Sequence, residues 1–239
     1  MKIIDAIWEQ RNLGVKTYEI TIESEDDLLT FADSIKELDG QYLVVKASTD
    51  LRGVTDTVQN LGFKFIEDMI HVEHDLREVS RNRILQRLYE ETTFRKMNEQ
   101  DIQQMYEEIQ DGMFENDRIS NDAFFGKKKA AERYMNWIKD LIDKGAFPYV
   151  IRYREDNTGF VILQTADGKI YHSVLGGGYK KYRKSGMGII QKEQEIVKSL
   201  GGKKVITSVS SNNANQLKAL ILNGYMPYGV DHIFVKHVG

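Results

Sequence analysis

A basic, glycine-bearing segment is the part of this sequence best suited to chemistry. Six consecutive residues form it: Arg183, Lys184, Ser185, Gly186, Met187 and Gly188. Two glycines two apart, directly before an apolar helical pattern, allow backbone N–H groups to converge on an anion at a helix N-terminus. Arg183 and Lys184 add positive charge at the same place. The segment therefore predicts a site for a phosphorylated ligand.

A histidine lies on the predicted strand that leads into this segment. The strand is predicted over 170–175, and three glycines follow it at 176–178. Strand alternation predicts that His172 and Leu175 point to opposite faces of the sheet. Because histidine titrates near neutrality, His172 is the residue we expect to act as a general base; a structural or exposed histidine is the alternative.

The composition is that of a soluble globular protein. The chain has 239 residues, of which 41% are hydrophobic and 29% are charged, enough for one large domain or two small ones. The net charge is only −3. We therefore expect no nucleic-acid partner that depends on neutralising phosphates.

The cysteine count and the hydropathy limit the chemistry and the location. No cysteine is present, which excludes disulfides, thiolate metal sites and cysteine nucleophiles. No segment approaches the roughly 18 apolar residues of a membrane span, and the start lacks the apolar run of a signal peptide. We expect a cytoplasmic protein with no membrane partner. The histidines show no spacing typical of a metal site, so no metal is expected.

The element pattern predicts an α/β protein with a mixed sheet and two domains. Strands alternate with helices over 17–73, and a charged predicted helix at 77–93 separates this segment from a longer one. The longer segment is predicted as a strand, two helices, three strands, the basic segment with its helix, and then strand, helix, strand. We place a smaller N-terminal α/β domain at 1–80 and a larger domain at 93–239.

The two halves share a pattern that suggests an internal repeat. Leu43–Phe63 aligns without a gap to Val205–Tyr225, and both read as strand, polar turn, helix, then glycine and an aromatic residue. The identities are few. Shared descent is one interpretation, and the other is that any strand–helix–strand unit has this appearance.

The C-terminal half resembles the GNAT N-acetyltransferases over about 145 residues. The Arg-x-x-Gly-x-Gly spacing of Arg183–Gly188 is similar to the acyl-CoA pyrophosphate loop of that family. The segment from Asn213 to Gly224 and Tyr225 is similar to its second signature, in which an Asn follows the fifth strand and a helix ends in Gly-Phe. The resemblance implies a GNAT fold, acetyl-CoA as co-substrate and N-acetylation as the reaction.

The N-terminal half suggests a narrower resemblance. Trp8–Val15 and Leu61–Phe63 resemble the N-terminal domain of bacterial dTDP-fucosamine acetyltransferases and related nucleotide-amino-sugar N-acetyltransferases. Asp117–Ile119, followed by Tyr134 and Trp137, is similar to a segment that those enzymes carry after their first helix. This resemblance implies an amino sugar on a nucleotide carrier as acceptor, with Arg118 as a substrate contact.

The GNAT resemblance also assigns roles around the basic segment. It implies that backbone N–H groups of Arg183–Gly188 bind the CoA pyrophosphate, and that Asn213 bonds the pantetheine arm. The alternative for Asn213 is a helix N-cap. Leu175, Gly176 and Gly178 lie at the end of the strand that pairs with pantetheine and holds the thioester carbonyl in that family.

Two departures from the family pattern stand out. The strand end is normally apolar and β-branched, but here it is Gly-Gly-Gly, which either makes room for an unusual acyl group or forms a bulge. Leu220 occupies the position where the family often carries a tyrosine general acid. Either Tyr225, Tyr228 or His232 serves instead, or solvent does, or activity is lost.

The predicted function is acyl-CoA-dependent acetylation of a primary amine of a small molecule, with the amino sugar as the specific expectation. One alternative is an amino acid or aminoglycoside as acceptor, or a longer acyl donor. Another, suggested by Leu220, is a non-catalytic acyl-CoA-binding module. The small-molecule amine is the expected partner, and a homodimer is one assembly that the sequence leaves open.

Overall fold

A computed structural model of the chain describes residues 1–23, 26–77, 83–183 and 188–238. The strands are β1 (Lys2–Asp5), β2 (Thr17–Ile22), β3 (Tyr42–Ser48), β4 (Lys64–His74), β5 (Thr92–Lys96), β6 (Phe147–Tyr153), β7 (Asp156–Asp167), β8 (Ile170–Gly178), β9 (Lys204–Ser210) and β10 (Met226–His237). The helices are α1 (Ile7–Leu13), α2 (Leu28–Lys36), α3 (Val54–Asn60), α4 (Arg83–Glu91), α5 (Glu99–Gln110), α6 (Arg118–Asn121), α7 (Gly126–Asp143), α8 (Ile189–Ser199) and α9 (Ala214–Leu222).

The ten strands form one mixed sheet, which confirms the predicted α/β class. Their order is β1-β2-β3-β10-β4-β9-β8-β7-β6-β5. Most neighbours are antiparallel, but β2 pairs parallel with β3 and β8 pairs parallel with β9. The last strand, β10, lies between β3 and β4 and so joins the N-terminal strands to the rest of the sheet.

Helices cover both faces of the sheet, and each face has two apolar clusters. One face is covered by α2, α3, α8 and α9, and we call it the α8 face. The other is covered by α1, α5, α6 and α7, and we call it the α7 face. The alternation along β7 shows the division: Val161 and Leu163 pack on the α8 face, whereas Phe160 and Ile162 pack on the α7 face.

The pairing of the central strands is symmetric with respect to the pattern that the two halves share. The gapless alignment of Leu43 with Val205 is an offset of 162 residues, and it makes Ser48 equivalent to Ser210 and Met69 equivalent to Asp231. Ser48 pairs with Asp231, and Ser210 pairs with Met69. Met69 and Asp231 also pair with each other. Equivalent residues therefore face one another across the β4–β10 pair, as they would on a pseudo-two-fold axis normal to the sheet.

The elements predicted from sequence agree with the structure over most of the chain, with three additions. The predicted strand at 17–22 is β2 to the residue, and α5 begins at Glu99 after a capping box of Asn98 and Asp101. The sequence does not predict β1, α1 or the four-residue helix α6. Strands from 1–80 and 93–239 interleave in the sheet, and a boundary between two domains stays a prediction.

Candidate functional site

The candidate site begins where the parallel pair β8–β9 separates. The two strands pair only from Ile170 with Lys204 to His172 with Ile206. Beyond this point β8 continues with β7, and β9 continues with β4, so a cleft opens between them. At its base the Thr207 hydroxyl donates to the Ser173 carbonyl oxygen at 2.8 Å. Backbone groups further along each strand face the cleft, which is suited to an extended ligand that pairs with a strand edge.

A bulge at Val174 sets the side-chain directions in β8. Leu163 pairs with Ser173 and Ile162 with Leu175, so Val174 is the extra residue. Both Val174 and Leu175 pack on the α7 face. The prediction that His172 and Leu175 point to opposite faces is therefore wrong, because the bulge interrupts strict alternation. The glycines themselves form no bulge and pair regularly with residues 159–161.

The glycine run leaves a bare strip of backbone on the α8 face. Gly176 pairs with Val161, whose side chain packs on that face, and a Cβ at Gly176 would lie 3.1 Å from the Phe160 carbonyl oxygen. A Cβ at Gly178 would lie 3.4 Å from both the Arg183 Cα and Ile189. The strip therefore leads from the cleft toward the start of α8.

The basic segment is described at its two ends, and the predicted contacts of Lys184, Ser185, Gly186 and Met187 lie outside the described residues. Arg183 is exposed and donates to the Gly112 carbonyl oxygen at 3.3 Å. Gly188 precedes α8 with φ 71°, a left-handed conformation that favours glycine. The first backbone N–H groups of α8 thus open beside the bare strip, where an anion would be favoured.

The equivalent region of the N-terminal half is closed. There β2 and β3 stay paired from Thr17 with Tyr42 to Ile22 with Ala47. The connection from β2 to α2 spans only residues 23–27, and its sequence, Glu-Ser-Glu-Asp-Asp, is acidic. An anionic ligand would be repelled there, so the internal repeat does not supply a second site of this kind.

His172 lies at the mouth of the cleft on the α7 face, opposite Ile206. Burial lowers the pKa of His172 below its usual value near 6.5, and a proton on the neighbouring His71 lowers it further. The imidazole is therefore neutral at pH 7 and able to accept a proton. Within the described residues, no hydrogen bond orients its ring.

A second histidine on the same face has two hydrogen-bond partners from neighbouring strands. His71 on β4 lies 2.8 Å through Nδ1 from the Ser208 hydroxyl on β9, and 2.9 Å through Nε2 from Asp231 on β10. The ring of Tyr228 lies 5.8 Å from the His71 ring. Sequence analysis missed this group, because 137 residues separate His71 from Ser208 and 160 separate it from Asp231.

A buried polar cluster lies on the α8 face behind the cleft. Both oxygens of Glu193 on α8 accept hydrogen bonds, one from Tyr225 and one from Ser173 at 2.6 Å. Burial raises the pKa of the Glu193 carboxyl, and it raises that of the fully buried Tyr225 well above its usual value. The role of Tyr225 as a general acid stays a prediction, with Glu193 as its hydrogen-bond partner.

The other candidates for a general acid lie apart from this cluster. Leu220 is buried in the apolar cluster under the α8 face. His232 is hydrogen-bonded to Asp68 at 2.7 Å, and it packs against Phe234 on the same face as α3. Tyr228 is 56% exposed, near His71 on the α7 face.

Asn213 is the N-cap of α9. Its side-chain oxygen accepts from the Gln216 backbone N–H at 3.2 Å, and its amide nitrogen donates to the Gln216 side chain at 2.8 Å. Both polar atoms are therefore engaged within the chain. A contact of Asn213 with pantetheine stays a prediction.

Arg118 belongs to a buried ion cluster. It contacts Glu9 on α1 and lies 3.1 Å from Glu19 on β2, and Arg133 on α7 also binds Glu9, at 2.7 Å. The Arg133 guanidinium lies 4.8 Å from the Trp8 ring. The segments that suggested a nucleotide-sugar acceptor thus meet in the interior. A substrate contact of Arg118 stays a prediction.

A cavity of about 470 Å³ lies outside the cleft, between the end of α5 and the start of α7. Its lining includes Gly112, Phe114, Lys127 and Lys128. Met113, beside it, packs against Gly177, where a Cβ would lie 2.8 Å from its sulfur. Within the parts of the chain that the structure describes, no three His, Asp or Glu side chains converge as a metal site requires.

Solved structures identify the fold. A functionally unknown conserved protein from Staphylococcus epidermidis is 14% identical, with a TM-score of 0.63 over 96% of this chain and 88% of that chain. A GCN5-related N-acetyltransferase from Sphaerobacter thermophilus is 11% identical, with a TM-score of 0.64 over 99% and 75%. A tandem GNAT protein from the clavulanic acid biosynthesis pathway is 11% identical, with a TM-score of 0.52 over 87% and 67%.

The chain therefore has the fold of the GNAT acetyltransferases, as the sequence resemblance predicted. At these identities the likeness shows the fold alone. No protein-family model matches the sequence, and no curated protein matches it. None of the helices in the described ranges is both long and apolar enough to cross a membrane.

Proposed function

We propose that this protein is an acyl-CoA-dependent N-acetyltransferase that acetylates a primary amine of a small molecule. One observation carries the proposal: the β8–β9 cleft opens beside a glycine strip that leads to the N-terminus of α8. An extended pantetheine arm suits the cleft, and a pyrophosphate suits the helix start with its basic segment. The GNAT fold supports acetyl-CoA as the donor.

Acetyl transfer to an amine needs a proton acceptor for the ammonium on one side of the thioester. On the other side it needs a group that protonates or stabilises the leaving thiolate. His172 is neutral at pH 7 and lies on the α7 face, so it suits the role of base. The Glu193–Tyr225 pair lies on the opposite face. Since a thiol has a pKa of about 8.5, the leaving thiolate needs only modest assistance.

The acceptor we favour is an amino sugar on a nucleotide carrier. The support is the sequence resemblance of the N-terminal segments. An amino acid, an aminoglycoside or a longer acyl donor is the alternative within the same reaction. Binding energy from a nucleotide would raise kcat/KM over that for the free sugar.

A thiol-release assay tests the proposal. Acetyl-CoA is incubated with glucosamine, with nucleotide-linked amino sugars and with amino acids, and free CoA is measured. We expect release that depends on the amine and is fastest for a nucleotide-linked sugar. Equal kcat/KM for free and nucleotide-linked forms of one sugar would discard the nucleotide carrier but keep the reaction.

Leu220 favours a second candidate, a non-catalytic acyl-CoA-binding module. Its buried, apolar side chain cannot protonate a thiolate. The same assay separates the two functions when acetyl-CoA binding is measured by calorimetry in parallel. Binding without release for any amine would establish the module, and the absence of binding would contradict both functions.

A further inference from the structure

We propose that Ser208, His71 and Asp231 form a proton relay that takes the ammonium proton of the acceptor amine away from the cleft. The relay rests on the proposed acetyltransfer and assigns residues to its first step. Three strands contribute to it, with Ser208 on β9, His71 on β4 and Asp231 on β10. His71 and Asp231 lie on β4 and β10, the equivalent strands of the two halves, which pair with each other.

Ser208 lies just beyond the point where the pairing of β8 with β9 ends. His172 and Ile206 are the last residues paired across β8 and β9, and Ser208 follows Ile206 by two positions on the same face. Ser208 is therefore the first residue of β9 inside the cleft on the α7 face, and it is exposed. A ligand amine that approaches the thioester from this face meets its hydroxyl.

Asp231 orients the His71 ring. The Asp231 carboxylate accepts only, so at 2.9 Å it fixes the proton of a neutral His71 on Nε2. The other nitrogen, Nδ1, is then an acceptor for the Ser208 hydroxyl at 2.8 Å. With its proton directed to His71, Ser208 turns its lone pairs toward the cleft. His71 and Asp231 are positioning residues, since they act through Ser208.

The proton transfers balance. The ammonium gives one proton to the Ser208 oxygen while the Ser208 proton moves to His71 Nδ1, and the imidazolium is stabilised by Asp231. The free amine then attacks the thioester carbon, and the C–S bond breaks as the C–N bond forms. The second proton of the nitrogen passes to the departing sulfur, so CoA leaves as the thiol. His71 returns its proton to solvent, to which its side chain is 25% exposed.

The relay differs from a direct role for His172 in one structural respect. Within the described residues the His172 ring has no hydrogen-bond partner, whereas His71 is held on both nitrogens. A base oriented by a carboxylate presents a fixed lone pair, as in other carboxylate–imidazole pairs. Tyr228, whose ring lies 5.8 Å from His71, borders the same approach.

The first test measures the tautomer of His71 without any substrate. Long-range ¹H–¹⁵N spectra of the histidine-labelled protein are recorded near neutral pH, with His71→Gln to assign the signal among the five histidines. We expect His71 to carry its proton on Nε2 and Asp231→Asn to move it to Nδ1. A parent protein with the proton on Nδ1 would overturn the relay, because Nδ1 could not then accept the proton of the Ser208 hydroxyl.

The second test is kinetic, with acetyl-CoA and three amines: glucosamine, a nucleotide-linked glucosamine and lysine. We expect Ser208→Ala and Asp231→Asn to lower kcat roughly 100-fold, the usual range for the loss of general-base assistance, with the KM for acetyl-CoA unchanged. Ser208→Thr should restore most of the kcat that the alanine variant loses. Ser48→Ala is the control, because Ser48 lies beside Asp231 on β3, outside the relay.

The outcomes separate the relay from the proposed function. Parental kcat in Ser208→Ala and Asp231→Asn, with a fall only in His172→Gln, would overturn the relay and leave acetyltransfer by a single base. No thiol release from the parent with any of the three amines would overturn acetyltransfer of these amines and the relay together.

Discussion

Glu193 is a carboxyl group in an apolar interior, and its protonation is linked to stability. Burial raises its pKa above the usual value of 4.5, while the hydrogen bonds from Ser173 and Tyr225 oppose that rise. The folded state therefore binds the Glu193 proton more tightly than the unfolded chain does. The resulting stability is present below about pH 4.5 and is lost as the pH rises through the pKa of the folded state.

Replacement by glutamine, which keeps the shape and removes the titration, tests this linkage. We expect the free energy of unfolding of Glu193→Gln to increase relative to that of the parent as the pH rises from about 5 to about 8, because only the parent loses stability over this range. Urea unfolding at several pH values measures the difference. Glu155→Gln, at a side chain that is 99% exposed, is the control and should show no such trend. A pH-independent difference for Glu193→Gln contradicts the raised pKa.

Site residues could be predicted where the chemistry is local in the sequence. The spacing from Arg183 to Gly188 indicates an anion site because six neighbouring residues carry it. Ser208, His71 and Asp231 carry no such signal, because only the sheet topology brings them together. The N-cap role of Asn213 was foreseen as an alternative, since Asn is a preferred cap residue.

Helix α8 has a left-handed glycine at each end. Gly188 precedes the helix with φ 71°, and Gly201 follows it with φ 80°. A Cβ at Gly188 would lie 3.3 Å from the Thr92 hydroxyl, whereas a Cβ at Gly201 would meet nothing within 4 Å. Alanine at either position costs about 1–2 kcal/mol of backbone strain. Only Gly188 lies at the proposed phosphate site.

The two glycines thus form a matched pair for a binding experiment. We expect Gly188→Ala to weaken acetyl-CoA binding by roughly tenfold or more. The strained backbone would move an N–H group at the start of α8 away from the phosphate, and a hydrogen bond to a charged group contributes about 1.5–3 kcal/mol. Gly201→Ala should bind like the parent. Calorimetric titration of acetyl-CoA measures both, with circular dichroism as the check of folding. If a folded Gly188→Ala binds as tightly as Gly201→Ala, the helix start is not the phosphate site.

The strand β8 shows why element existence was easier to predict than side-chain direction. Its start at Ile170 follows from an apolar run after a turn, and that prediction was correct. The bulge at Val174 depends on how Ile162 and Leu163 of β7 meet it, which the sequence of β8 alone does not encode. One extra residue was enough to reverse the predicted face of Leu175.

For the whole molecule, the ion cluster around Glu9 ties α1 to α6 and α7. Burial alone would raise the pKa of Glu9, but the charges and hydrogen bonds of Arg118 and Arg133 lower it. We expect Glu9→Gln to destabilise the fold by about 3–5 kcal/mol, because two buried guanidinium groups lose their shared counter-charge. Urea unfolding measures the loss.

Arg11→Ala is the matched control for the same interface. Arg11 joins α1 to α7 through Asp140, but its side chain is 64% exposed, and exposed pairs contribute little. A Glu9→Gln protein as stable as Arg11→Ala would show that the buried cluster does not hold the N-terminal helix in place.

The fold class followed from the sequence, but the interleaved sheet did not. Alternating strands and helices predict an α/β protein, and the repeat of Leu43–Phe63 and Val205–Tyr225 was visible as a pattern. No local pattern encodes the exchange of β4 and β10 between the two halves. In the sheet β10 pairs with β3 of the N-terminal half, and β4 pairs with β9 of the C-terminal half. A prediction of separate domains is the natural outcome when elements are read in order along the chain.

This exchange has a consequence for synthesis on the ribosome. The strands β3 and β4 are made early, but β10, which lies between them, follows some 150 residues after the end of β4. At usual translation rates that interval is roughly 8–30 s. During it the edge of β3 that β10 covers stays open, and β4 has neither neighbour until β9 is made. Open strand edges of this kind promote aggregation. The last strand to be translated is therefore the one that closes the sheet.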